Sequence, residues 1–288
     1  MLFRFSFILL LVSCVSFSSA YQIVTPREVK QGDPLHVFVI GEGKEKIFSI
    51  EFDGEKRWPL VYLETNPHAI FGIPLDAPLG KKQIVITDIT ATSTIIREVN
   101  ITGRPKPQAQ FDIPKKLGGN TKKGEATVTS GITEENQILN NLESSSRRLW
   151  SERFKYPLVR NVVTDTYGYS RVTGGTVVSH KGLDLRAPVG TRVYAMNRGV
   201  VRLVREFTVY GNTVVIDHGQ GLQTWYMHLN KTNVKEGAMV ERGTFIGYSG
   251  DSGYANGAHL HISVRISGTS VDPLMFMRYF GARQRLQY

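Results

Sequence analysis

The C-terminal half of the chain takes its fold from one stretch, His259-Leu260-His261-Ile262-Ser263-Val264-Arg265-Ile266. Polar and aliphatic residues alternate along it, and a period of two is typical of a β-strand with one buried face. The aliphatic residues would point into a core, while both histidines, Ser263 and Arg265 would share the other face. Two imidazoles about 6–7 Å apart along a strand suit one metal ligand with a neighbour beside the metal. The stretch therefore predicts a β-domain with a candidate metal site.

Residues 151–288 as a whole show the same β-rich character. Short apolar stretches alternate with glycine-containing turns, a pattern that indicates many short strands. Candidate strands lie at 182–186, 192–195, 199–207, 213–218, 222–229 and 244–248.

Residues 21–104 form a second β-rich region. The dipeptide Asp53-Gly54 between two apolar stretches is a strong turn signal. Short strands with turns roughly every 8–12 residues predict a small β-sandwich of the immunoglobulin-like type. Candidate strands lie at 35–40, 47–52, 58–63, 68–73, 83–87 and 93–101.

Residues 105–150 between these regions differ from both in composition. Prolines, paired lysines and glycines predict a flexible connector. Within it, Thr133 is a candidate cap for one helix from residue 134 to about residue 150. A connector of this length is usually either a tether or a segment that covers something. One hypothesis is therefore that the connector or the N-terminal β-domain occludes a groove in the C-terminal domain.

Residues 1–20 have the features of an export signal. Arg4 precedes a mostly apolar run, and Ser18-Ser19-Ala20 provides small residues before a cut at Tyr21. A second interpretation is a lipobox at Leu11-Val12-Ser13-Cys14, which would leave a lipid anchor on Cys14. The short apolar run before Cys14 favours plain cleavage. The sequence thus predicts an exported protein in the periplasm or cell envelope.

The charge and cysteine content exclude several classes of site. The formal net charge is +10, from 35 lysines and arginines against 25 acidic residues. No aromatic–basic or helix-turn-helix signature accompanies this charge, so we predict attraction to anionic wall or lipid surfaces and no nucleic-acid partner. A single cysteine excludes an intrachain disulfide framework and a thiolate zinc cluster. The sequence carries no signal for an oligomeric state.

Five of the seven histidines lie between residues 180 and 261. His180 and Asp184 are separated by a glycine-containing loop that enters a strand, and imidazole with carboxylate is a suitable ligand pair for zinc. The alternation in 223–229 would place His228 on a polar face with Thr224 and Tyr226, where it is a candidate general base. We expect the remaining histidines, and Arg265, to be structural or solvated; these histidines are His36, His68 and His218.

Taken together, the motifs resemble the lysostaphin/LytM-type zinc endopeptidases of bacterial cell walls. The family pattern of HxxxD, then YxH, then HLH stands here as His180–Asp184, Tyr226-Met227-His228 and His259-Leu260-His261. The resemblance covers roughly residues 156–275, with supporting pieces at 167–171, 187–190, 217–221, 250–253 and 271–273. It implies an antiparallel β peptidase domain that binds one zinc ion through His180, Asp184 and His261. It assigns His228 and His259 to the catalytic, non-ligand pair.

The resemblance also implies a function, hydrolysis of peptide cross-links in peptidoglycan. The companion N-terminal domain favours D-Ala–diaminopimelate bonds over glycine bridges. Because no HExxH motif supplies a glutamate base, His228 or His259 would take the proton of the water and the other would stabilise the oxyanion. Two alternatives are a non-enzymatic regulator that activates cell-wall amidases and a passive wall-binding module.

Overall fold

A computed structural model describes residues 21–41, 48–57, 60–61, 67–89, 93–173 and 176–282. The predicted signal peptide and the lipobox at Cys14 lie outside the described residues. The chain divides into two compact units. Of the described residues, the first unit combines those up to 29 with those in 35–70 and 79–101, and the second combines those in 30–34, 71–78 and from 102 onwards.

The first unit contains two β-sheets. One has the strand order β1-β3-β7-β6 and the other the order β2-β9-β8-β4-β5. The predicted strands at 35–40, 68–73, 83–87 and 93–101 are all present, and the immunoglobulin-like topology stays a prediction. The strands are β1 Tyr21–Val24, β2 Glu28–Lys30, β3 Pro34–Gly41, β4 Phe48–Phe52, β5 Glu55–Arg57, β6 Leu60–Val61, β7 Pro67–Gly72, β8 Gly80–Asp88 and β9 Ser93–Thr102.

His36 and His68 are both buried in this unit, with ring centroids 5.0 Å apart. Burial lowers the pKa of His36 to about 2, so the ring is neutral. Their position in a core agrees with the structural role expected for them.

The second unit is built on a ten-stranded, predominantly antiparallel sheet and a small three-stranded sheet. The central order of the large sheet is β14-β21-β18-β17-β16, and all of its predicted strands are present. The strands are β10 Gln108–Gln110, β11 Val163–Asp165, β12 Ser170–Thr173, β13 Thr176–Ser179, β14 Leu183–Arg186, β15 Arg192–Tyr194, β16 Gly199–Phe207, β17 Gly211–Gly219, β18 Leu222–Thr232, β19 Met239–Val240, β20 Phe245–Ser249, β21 His259–Ile266 and β22 Thr269–Val271. The mainly β fold class and the antiparallel C-terminal domain are confirmed.

The segment predicted as a flexible connector differs from that expectation. Its helix, α1, spans Lys122–Asn140 and is capped by Thr121, whose hydroxyl accepts a hydrogen bond from the Gly124 amide. The predicted cap at Thr133 and the helix over 134–150 were therefore wrong in position. The first half of α1 contains threonine, valine and glycine, which have low helix propensity. The local sequence therefore does not mark the start of the helix.

The connector segment is integrated into the second unit. Leu139 of α1 packs in one cluster with Trp225 and Met227 of β18, and β10 pairs in parallel with β12. Further along, the Leu149 amide donates to the His218 carbonyl. These contacts bury apolar surface that a tether would leave in water.

A second helix, α2, spans Pro273–Phe280 and was not predicted. The sequence contains a start signal for this helix, a capping residue followed by proline. In the structure Asp272 accepts a hydrogen bond from the Leu274 amide, and Pro273 occupies the first turn. Among the residues that the structure describes, no helix is both long and apolar enough to cross a membrane.

Candidate metal centre and active site

Three side chains from separate parts of the chain converge on one point. Asp184 of β14 lies directly opposite His261 of β21 in an antiparallel pair, so both side chains leave the sheet on one face. His180 precedes β14 and reaches the same point. Its Nε2 lies 3.0 Å from Asp184 Oδ1 and 3.1 Å from His261 Nδ1, and the last two atoms are 2.7 Å apart.

This donor set fits a zinc ion. Ligand atoms bound tetrahedrally at about 2.0–2.1 Å from one zinc lie roughly 3.3 Å apart, close to the observed separations. Two imidazole nitrogens and one carboxylate oxygen are a ligand set of catalytic zinc sites. The predicted convergence of His180, Asp184 and His261 is therefore present in the structure.

Neighbouring groups orient two of these side chains. His180 Nδ1 donates to the Thr166 carbonyl at 2.8 Å, which leaves Nε2 as the lone-pair nitrogen. Asp184 Oδ2 accepts from Arg171 Nη2 at 2.7 Å, so Oδ1 is the oxygen directed to the histidines. Arg171 is itself 93% buried, lies over the Phe111 ring, and was not predicted as a site residue. The only signal for it was its place in the motif segment 167–171.

The electrostatics keep two of the candidate ligands, Asp184 and His261, in the protonation states that a metal requires. Burial raises the pKa of Asp184, but His180 and His261 outweigh it and hold that pKa well below the usual value. Burial lowers the pKa of His261 to about 4. At neutral pH the site therefore offers a carboxylate and a neutral imidazole, as metal binding demands.

His228 reaches the site by a route that strand alternation does not predict. Met227 pairs with His261 and Tyr226 pairs with Ile262, so simple alternation would send His228 away from the metal face with Tyr226. Instead the backbone of His228 is left-handed, with φ of 59°, and the pairing of β17 with β18 shifts register there. The predicted shared face for Thr224, Tyr226 and His228 was therefore wrong. The bulge turns His228 to the metal face.

His228 and His259 form a second histidine pair beside the ligands. Their ring centroids are 4.9 Å apart, and the His228 centroid lies 5.9 Å from that of His261. Each ring donates its Nδ1 proton to a backbone carbonyl, His228 to Ser252 and His259 to Gly257, both at 2.8 Å. Both Nε2 atoms therefore carry the lone pair. His259 Nε2 is buried 3.7 Å from Asp184 Oδ1, with no hydrogen-bond partner among the described residues.

His218 lies apart from this site, in agreement with its expected structural role. Its Nδ1 donates to the Arg198 carbonyl at 2.8 Å, and its Nε2 lies 2.8 Å from the Thr224 hydroxyl. The Thr224 hydroxyl also contacts the Tyr226 hydroxyl at 3.0 Å. This network occupies the face of β18 opposite the metal site.

A cavity of about 420 Å³ opens over the metal face. His180, His228 and His261 line one part of it, and Ser263 and Arg265 line its continuation along β21. One wall comes from α1, through Thr129, Ile132, Thr133 and Asn136. Arg265, which was expected to be structural or solvated, is 93% buried. That the connector restricts access to the site stays a prediction, and α1 is the element that would do so.

The sequence of this region is similar to known peptidases. Residues 178–273 match Peptidase family M23. The peptidoglycan DD-endopeptidase ShyA of Vibrio cholerae is 43% identical over 98 residues, which are 34% of this chain and 23% of ShyA. ShyB of the same organism, also a peptidoglycan DD-endopeptidase, is 31% identical over 157 residues, or 53% of this chain and 36% of ShyB. The chain thus covers about a quarter to a third of the length of these relatives.

A solved structure shares the fold over most of the chain. A structure from Pseudomonas aeruginosa assigned to peptidase M23 superimposes with a TM-score of 0.62, over 88% of this chain and 95% of that one. Its sequence identity is 23%, so this likeness shows the fold alone.

Proposed function

We propose, from the premise that residues 178–273 are a peptidase M23 domain, that this chain is a zinc metalloendopeptidase of the bacterial cell wall. The observation that carries the proposal is the meeting of His180, Asp184 and His261 with donor atoms 2.7–3.1 Å apart. The same geometry disfavours the non-enzymatic regulator, because such LytM-like domains usually lack a complete ligand set.

In the proposed reaction, His180 Nε2, Asp184 Oδ1 and His261 Nδ1 would hold the zinc. When bound, zinc supplies a water of lowered pKa and polarises the scissile carbonyl. Arg171 binds Asp184 Oδ2 and so keeps Oδ1 turned inward, and the Thr166 carbonyl keeps His180 in the tautomer that can bind.

The pair of His228 and His259 supplies the proton chemistry. Burial, and then the proximity of His259 and His261, lower the pKa of His228, so its imidazole is neutral and able to accept a proton. One member of the pair takes the proton of the attacking water, and the other faces the developing oxyanion. Because Ser252 and Gly257 fix both rings through Nδ1, neither must reorient during the reaction.

The proposed substrate is the peptide cross-link of peptidoglycan, with the D-Ala–diaminopimelate bond as the scissile bond. The named activity of ShyA and ShyB supports this choice, as does the excess of positive charge. We further propose that the protein is exported and acts in the periplasm or cell envelope, where this substrate lies.

Purified sacculi test this function. The full-length chain without residues 1–20 is incubated with sacculi, and mass spectrometry identifies the released muropeptides. We expect loss of cross-linked dimers, abolished by a chelator and restored by added zinc. Zinc-loaded protein that leaves every cross-link intact would contradict the proposal.

A further inference from the structure

Arg265 is a buried cation without an acidic partner. Its side chain leaves β21 on the same face as His261 and Ser263, and it is 93% buried. One nitrogen, Nη1, donates to the Gly268 carbonyl at 3.1 Å, and the guanidinium carbon lies 4.1 Å from the centroid of the Trp225 ring. The Nε atom is buried with no hydrogen-bond partner among the described residues. No carboxylate in the described part of the chain forms an ion pair with Arg265.

A buried positive charge destabilises the folded protein unless an opposite charge or hydrogen-bond acceptors offset its desolvation. Removing a cation from water carries a large desolvation penalty, which proteins normally offset with an anion. The Trp225 ring and one carbonyl offset only part of the penalty, but they hold the planar guanidinium in a fixed orientation. A fixed guanidinium with unused donors is suited to a carboxylate, which accepts two parallel hydrogen bonds.

Arg265 also borders the cavity that contains the metal site. Lys181 lines the same cavity, and Ser263 and Ser270 both donate to its carbonyl, which ties its backbone to β21 and β22. The third cation in the lining, Arg171, is already paired with Asp184. None of the described lining residues is acidic. The described lining therefore carries the positive charges of Arg265 and Lys181 with no acidic side chain, and Asp76, which lies outside the lining, is the acidic residue that acts on Lys181.

We propose that Arg265 and Lys181 form a subsite for a free carboxylate of the peptide substrate. This inference rests on the proposed function, which it extends from the scissile bond to a second recognition point. Arg265 lies four positions further along the strand than His261, a distance of about 13 Å. An extended peptide with its scissile carbonyl at the metal would place a carboxylate about three to four residue lengths away. The subsite would thus select peptides that carry an anionic group at that separation.

The first test uses the unaltered protein and a matched pair of substrates. Two cross-linked muropeptides are prepared that differ only in one group, a free carboxylate in the first and its carboxamide in the second. We expect kcat/KM to be about 10- to 100-fold higher for the carboxylate form, because the amide cannot form charge-assisted hydrogen bonds. Equal kcat/KM for every carboxylate–carboxamide pair would overturn the subsite.

Substitutions then test whether Lys181 and Arg265 are the residues that recognise the carboxylate. Lys181→Gln removes an exposed charge, and Arg265→Met removes the buried one while its side chain can still cover Trp225. Each should reduce the preference for the carboxylate form towards unity, because kcat/KM should fall by more for the carboxylate form than for the carboxamide. Lys235→Gln, at an exposed position outside the cavity lining, is the matched control and should keep the full preference. If Arg265→Met does not fold, Lys181→Gln and Arg265→Lys still decide: an undiminished preference in both would contradict the assignment.

The two proposals fail in different ways. If the zinc-loaded protein hydrolyses neither substrate, the proposed function fails, and the subsite is then tested by the binding affinity of the two peptides. If it hydrolyses both substrates equally well, the function stands and the subsite fails.

Discussion

At the scale of single residues, His228 shows how a local distortion creates the site. A left-handed backbone costs a non-glycine residue about 1–2 kcal/mol, and within β18 the fold bears that cost at His228. The bulge moves the ring from the face shared by Thr224 and Tyr226 to the face of His261. Backbone strain of this kind is common at functional sites. Here it brings the His228 ring next to those of His259 and His261.

The roles of His228 and Asp184 can be separated by their variants. His228→Ala should keep zinc, because its ring is not among the three donors, yet lose at least about a hundredfold in kcat, since general-base catalysis contributes roughly 10²–10⁴-fold. Asp184→Ala should lose both zinc and activity. Metal content by atomic emission, measured with the rate on sacculi, checks both variants. Zinc loss in His228→Ala, or full zinc content in Asp184→Ala, would contradict the assignment.

At the scale of elements, α1 supports the turn that leads to the His228 bulge. Glu135 is buried, and its carboxylate accepts hydrogen bonds from the amides of Val209 and Tyr210 at 2.8 and 2.9 Å. The Tyr210 carbonyl in turn accepts from the His228 amide at 3.1 Å. Gly131 allows this close approach, because a Cβ there would lie 2.6 Å from a methyl of Val209. The helix is therefore part of the support of the site.

Glu135→Ala tests this support. The substitution leaves two amides without their acceptor, and each unsatisfied buried group costs about 1–3 kcal/mol. We expect the free energy of unfolding to fall by about 2–4 kcal/mol and the rate on sacculi to fall with it. Urea denaturation measures the first quantity. The exposed neighbour Glu134→Ala is the control and should change the unfolding free energy by less than about 0.5 kcal/mol; equal effects of the two variants would refute the role of Glu135.

At the scale of the whole molecule, a neutral histidine in the core makes stability depend on pH. Burial lowers the pKa of His218 from 6.5 to about 4, against weaker opposing effects of the Arg198 carbonyl and Asp217. Between these pH values the unfolded chain binds a proton that the native chain does not. The contribution of His218 to stability is therefore complete above about pH 6.5 and declines as the pH falls towards 4. The linkage amounts to about 3 kcal/mol over this interval.

His218→Gln removes this titration. We expect the variant to be less stable than the unaltered protein at pH 7.5, because the bonds to Arg198 and Thr224 are disturbed. The gap between the two unfolding free energies should narrow by about 3 kcal/mol between pH 6.5 and 4. Urea denaturation of both chelator-treated proteins across this range measures the gap. A gap that stays constant with pH would show that His218 does not titrate as inferred.

Much of the fold and of the candidate site was determined by the sequence alone. The alternation in 259–266 predicts a strand, because periodicity is a property of the chain itself. The order of the motifs carries the family resemblance, and that resemblance implied His180, Asp184, His228, His259 and His261 as candidate site residues. The helix was misplaced because β-branched residues and glycine weaken its local signal, and packing on Trp225 and Met227 stabilises it instead.

Only the tertiary structure decided how these groups face one another. The bulge at His228, the pairing of Arg171 with Asp184, the placement of α1 against the cavity and the unpaired charge of Arg265 all depend on strand register and on contacts between residues far apart in the chain. A one-residue shift in strand pairing reverses the face of every side chain that follows it. A local sequence pattern therefore identifies candidate site residues but does not determine the face of the sheet on which their side chains lie.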